Sequence, residues 1–88
     1  MKLNPDYIAR ELMGDFILLP SGETTLTFNG IVTLNEMGRT IYERLPQVEN
    51  EEALVRALAD EYEVDEAELR ADVSEFLAQM REKHILLD

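Results

Sequence analysis

The residues able to do chemistry are few, and none forms a catalytic set. The single histidine, His84, stands at the end of a helical stretch with no cysteine or second histidine to partner it. A cationic ring there would favour the negative end of a helix dipole, so its expected role is capping. Ser21 falls in a Pro-Ser-Gly turn and Ser74 within a helix, and neither has a base at useful spacing. Carboxylates are plentiful, and Glu61 to Glu68 is their densest run. That run lacks the glycine and the alternating ligands of a calcium loop, so it reads as helix N-terminal charge and a solvated face. No metal site, cofactor site or enzymatic activity is expected.

The elements that could position these residues come from an 88-residue chain with 19 acidic and 8 basic side chains, a net charge of −11. A domain of this size buries about 60% of the surface its unfolded chain exposes, and without cysteine it has no disulfide to reinforce it. One domain over residues 1–88 is expected. No apolar run approaches the roughly 20 residues of a membrane span, and MKLNPDY lacks the apolar stretch of a signal peptide. A cytoplasmic protein with no membrane partner is the expectation.

The composition changes along the chain. Residues 1–34 hold three of the four glycines and short runs rich in Ile, Leu, Val, Thr and Phe. Residues 35–88 hold helix formers and most of the acid. Strands followed by helices make an α+β fold. Tyr7 to Leu12 and Phe16 to Leu19 read as strands about a Met13-Gly14-Asp15 turn, where glycine supplies a positive φ. Thr24 to Phe28 and Ile31 to Leu34 read as further strands about Asn29-Gly30, a strong hairpin signal.

Three helices are expected, over about 35–45, 51–62 and 66–83. Asn35 caps the first, Met37, Ile41 and Leu45 form its buried stripe, and Pro46 stops it. Asn50 caps the second, whose apolar face is Leu54, Val55, Leu58 and Tyr62. Asp65 and Glu68 set a capping box for the third, with Val64 and Leu69 at the staple positions. Its stripe is Leu69, Val73, Phe76, Leu77 and Met80. Only Glu63 and Val64 separate the last two helices, which makes a helix-turn-helix.

That shape raises three functional readings. A DNA-reading helix needs arginine and lysine, but the third helix sets Arg70, Arg81 and Lys83 against six acids, so no nucleic-acid partner is expected. An acyl-carrier reading of Asp72-Val73-Ser74-Glu75 fails because the serine lies mid-helix and the first third is strand-rich. A sheet edge remains, whose free N–H and C=O groups a partner peptide could complete as an added strand. Arg70 and Arg81 lie eleven residues apart, about three turns, and so share a face that could anchor acidic side chains or pair with neighbouring carboxylates.

The run Leu34-Asn35-Glu36-Met37-Gly38-Arg39-Thr40-Ile41-Tyr42 resembles the Leu-Asn-Glu-Thr-Gly/Ala…Ile-Trp signature of the PqqD family, named for pyrroloquinoline quinone biosynthesis. Glu51 to Val55, Leu58, Tyr62, Val64, Asp72-Val73, Phe76-Leu77 and His84-Ile85-Leu86 follow in the family's order. The departures are Met37 for threonine, Tyr42 for tryptophan, His84 for glycine, and a longer stretch over residues 22–30. The resemblance implies a winged-helix-like fold of three antiparallel strands and three helices. It implies a non-catalytic recognition protein for ribosomally made, modified peptides. Such a protein binds the leader segment of a precursor as an added strand between the third strand and third helix. It then presents the rest to a modifying enzyme, often a radical S-adenosylmethionine protein. Here the implied peptide site is Ile31, Val32, Thr33 and Leu34 on the strand, with Arg70, Val73, Ser74, Leu77, Met80 and Arg81 on the helix. A monomer or weak homodimer is expected. The alternative is a winged-helix adaptor or dimerisation module acting through protein contacts; a DNA-binding regulator comes third.

Overall fold

The computed structural model describes residues 1–21 and 31–88. The expected strand over 24–28 and the Asn29-Gly30 hairpin lie outside the described residues. The chain runs β1 (Tyr7–Leu12), β2 (Asp15–Pro20), β3 (Val32–Leu34), α1 (Glu36–Arg44), a one-turn 3-10 segment (Leu45–Gln47), α2 (Glu51–Glu61) and α3 (Glu66–Glu82). The strands form an antiparallel sheet in the order β1-β2-β3. No helix among the described residues is long and apolar enough to cross a membrane.

The β1–β2 register pairs Tyr7 with Pro20 and Leu12 with Asp15, which leaves Met13 and Gly14 as a two-residue turn. Both take positive φ, 53° and 87°, the mirror-image turn whose twist matches the flanking strands. Across β2, Phe16 faces Leu34 and Leu18 faces Val32. Along β3 the side chains alternate: Val32 and Leu34 are buried and Thr33 is exposed. Ile31 precedes the strand and is exposed, so β3 starts one residue later than expected.

Each helix starts on a side-chain cap. Asn35 accepts from Gly38 N at 2.7 Å, Asn50 from Ala53 N at 2.9 Å, and Asp65 from Ala67 N at 2.8 Å. These bonds satisfy donors that a first helical turn leaves orphaned. Pro46 does not lie just past a helix ending at 45; it sits inside the 3-10 segment, after α1 has ended at Arg44. Of the expected stripe of the first helix, Ile41 and Leu45 are buried and only Met37 departs. Gly38 and Ile41 are its buried residues, while Met37 is exposed. A hydrogen in place of a side chain lets the first turn of α1 approach α3. A Cβ at Gly38 would stand 3.2 Å from Phe76 Cε1 and 3.1 Å from Asn35 Oδ1. Leu34, Asn35 and Gly38 are therefore the joint where β3 turns into α1 against α3.

The core gathers Leu18 from β2, Ile41 from α1, Leu45, Leu54 and Leu58, and Leu69, Val73, Leu77 and Met80 from α3. Ile85 and Leu86 close it from below. The segments at the two ends of the described chain meet in a Leu3–Leu86 bridge. There Asn4 N donates to Ile85 O at 2.8 Å and Leu87 N donates to Lys2 O at 2.9 Å.

Helix α3 ends on a paired hydrogen-bond stop. Ile85 N reaches back to Met80 O at 2.9 Å and His84 N to Arg81 O at 3.1 Å. His84 takes φ 59°, the left-handed conformation that usually falls to glycine at this position. His84 thus helps to end the helix through its backbone.

Candidate functional site

Among the described residues β3 pairs with β2 alone, so its other edge borders α3. Between them lies an open cavity of about 170 Å³, lined by Val32, Thr33, Leu34 and Asn35 on one wall and Phe76, Gln79, Met80 and Lys83 on the other. On α3 the residues Phe76, Gln79 and Lys83 fall at i, i+3 and i+7, the spacing of one helical face. The buried Met80 lies beside them and forms part of the floor. The cleft offers strand-edge backbone on one side and an aromatic ring, an amide and an ammonium group on the other.

A second cavity, about 160 Å³, continues along α3 toward its N-terminus. Met37, Ile41, Val64, Leu69 and Val73 line it with Glu68 and Asp72 at the rim. Phe76 stands between the two cavities, set against Gly38.

The sequence-based site divides on this geometry. Val32, Thr33, Leu34 and Met80 line the strand–helix cleft. Val73 lines the second cavity, and Leu77 is fully buried, supporting the cleft from behind. Ile31 lies just outside the strand. Arg70, Ser74 and Arg81 are absent from the cleft lining. At 100° per residue they sit roughly opposite the line through Phe76 and Lys83. Arg70 donates to both carboxylate oxygens of Glu52 and, at 3.3 Å, to Glu66. Arg81 Nε donates to the Asp88 carbonyl oxygen at 2.7 Å. The two arginines do share a face, and it is the face engaged with the protein's own acceptors. Their hydrogen bonds have a visible electrostatic consequence: Arg70 holds the Glu52 carboxyl below the usual glutamate range, chiefly by hydrogen bonding.

Asn35, Phe76, Gln79 and Lys83 also line the cleft, although the sequence-based site does not include them. The available signal was the 76–79–83 stripe, which mixes apolar, amide and cationic residues and so escapes an apolar count. Lys83 also has a structural tie: its carbonyl accepts from Tyr7 Oη at 2.7 Å, and burial raises the Tyr7 phenol above its ordinary pKa. Its ammonium group lies outside the ion pairs formed among the described residues.

The family profile described as coenzyme PQQ synthesis protein D (PqqD) matches residues 15–86. The chain belongs to the PqqD family. No significant match is found among curated proteins. Two solved structures share the fold across 99% of this chain, each with a TM-score of 0.78. One is described as TbiB1 in complex with the TbiA(beta) leader peptide, 24% identical over 95% of that chain. The other is described as lasso peptide synthetase B1 complexed with the leader peptide, 20% identical over 96% of that chain. For this PqqD-family chain, the three strands followed by three helices are the fold that these structures share. The Leu34-Asn35 pair and Gly38 of its signature run occupy the β3–α1 joint beside the cleft.

Proposed function

We propose that this PqqD-family protein binds the leader segment of a ribosomally made precursor peptide as an added strand on β3 and delivers it to a separate modifying enzyme. The observation that carries the reading is the β3 edge facing α3 across a cleft lined by Val32, Thr33, Leu34, Phe76 and Lys83. Family membership and two structural neighbours described as leader-peptide complexes support it. Main-chain bonds to the strand edge supply sequence-tolerant affinity, and alternate side chains entering the cleft supply choice. Tethering alone then does the work, because a held leader raises the local concentration of the attached core to the order of millimolar. The protein has no catalytic part in the modification. A radical S-adenosylmethionine enzyme is one candidate for the partner that performs it.

A proline scan of a bound leader tests the mode. Proline has no N–H, so it should cost affinity at alternate positions of the paired segment, about two- to tenfold each. A sensitivity period near 3.6 residues would overturn strand addition in favour of a helical ligand.

A further inference from the structure

The two cavities along α3 differ in charge. All 8 Lys and Arg residues of the chain lie among the described residues. Arg39, Arg44, Arg56 and Arg70 are held in ion pairs with the protein's own glutamates. Arg81 is bonded to a backbone carbonyl. Lys83 is the one cation that lines the strand–helix cleft. At the other end of the same face, the second cavity presents five apolar side chains and the carboxylates of Glu68 and Asp72. Neither carboxylate enters an ion pair among the described residues.

Asp72, Phe76, Gln79 and Lys83 lie on one line along α3, since eleven residues complete almost three turns. Lys83 therefore stands about 17 Å from Asp72 and about 22 Å from Glu68 along the helix axis. An extended peptide covers those distances in about five to seven residues. The cavity beside Glu68 and Asp72 has the volume that in a protein interior accommodates a single aromatic ring.

Resting on the peptide-binding reading above, we propose that the groove selects a leader of defined charge polarity. Its occupant places an acidic residue against Lys83. About five to seven residues away it seats an apolar side chain, flanked by a basic residue, in the cavity beside Glu68 and Asp72. The apolar anchor matters because it fixes which end of the peptide meets which end of the groove. A peptide with its two charges exchanged cannot recover the match by binding in the reverse direction, since that would lift the anchor from its cavity. The net charge of −11 draws basic peptides toward the whole surface, and Lys83 adds the position-specific demand for an acid.

The test uses two synthetic strand-forming peptides of about a dozen residues. The matched peptide carries Glu at one end and, about six residues away, Phe with Lys two positions beyond it on the same strand face. The exchanged peptide carries Lys at the first position and, at the second, Phe with Glu two positions beyond it. Affinity is read by fluorescence titration at low salt, and the site by amide shifts of Val32 to Leu34. The matched peptide should bind about three- to tenfold more tightly, as expected for two partly solvated charge pairs. Lys83→Glu should weaken the matched peptide and strengthen the exchanged one. Asp72→Lys, at an exposed site on the other end, should strengthen the exchanged peptide independently. Equal binding of both peptides at β3, unmoved by either substitution, would overturn charge selection and leave strand addition standing. If neither peptide shifts Val32 to Leu34, the peptide-binding reading falls and the polarity inference falls with it.

Discussion

Helix α3 carries positive charge on two opposite faces, and the two are used differently. On the outer face Arg70 and Arg81 are occupied, the first by Glu52 and Glu66, the second by the Asp88 carbonyl. On the inner face Lys83 borders the β3 edge with Phe76 and Gln79 beside it. The outer pair joins α3 to α2 and to the following segment, so it stabilises geometry. The inner group is available to something else. Scarcity makes the contrast informative: of 8 cations among 19 acids, Arg39, Arg44, Arg56 and Arg70 are paired with carboxylates of the protein itself. A cation outside such a pair, inside a cleft, is the one whose partner is still to arrive.

The largest expected effect lies between the two faces. Leu77 is fully buried under α3, and Leu77→Ala should cost about 2–5 kcal/mol of stability by lost burial and an unfilled cavity. Chemical denaturation measures this. A loss much below 1 kcal/mol would mean that the bed of the cleft is not tightly packed.

Next come the faces themselves. Phe76→Ala should weaken peptide binding by about 1–2 kcal/mol, as for an aromatic group at the centre of an interface. Arg70→Ala and Arg81→Ala should leave affinity within about twofold, the margin expected of residues outside the contact. Titration of one leader against all three variants separates the faces. Equal losses at Phe76 and Arg70 would break the comparison.

A smaller change is expected at the helix stop. His84 holds a left-handed conformation, and His84→Gly should raise stability by about 0.5–1 kcal/mol by relieving it, visible in a thermal melt. Cleft binding should be unchanged, because Lys83 stays on its own side of the stop.

The smallest effect concerns the outer face. Because the folded-state pKa of Glu52 is lowered, its contribution is present above the ordinary glutamate range. It disappears as pH falls through the lowered value and the carboxylate is protonated. Glu52→Gln should therefore lower the melting temperature slightly near neutral pH, with the difference closing in acid and at high salt. Peptide affinity should not follow it.

Features that depend on neighbours within a turn or a tight loop were legible in the residues alone. Asn35, Asn50 and Asp65 each cap a helix through an amide two or three residues away, and such bonds form wherever the local backbone goes. The Met13-Gly14 turn is local for the same reason, and the three helices fall within one or two residues of their sequence-based limits. Periodicity likewise marked Leu69, Val73, Leu77 and Met80 as one buried stripe. How each helix is rotated against its neighbours follows instead from long-range packing. Eleven-residue spacing puts Arg70 and Arg81 on one face and Asp72 and Lys83 on another, and spacing cannot say which of them meets β3. Met37 is left partly exposed at the second cavity, while Gly38, whose missing side chain admits Phe76, is buried beside α3. Spacing within a helix is a property of its own backbone. The direction a face points is set by long-range packing between elements distant in the chain, and that orientation placed Lys83 in the cleft.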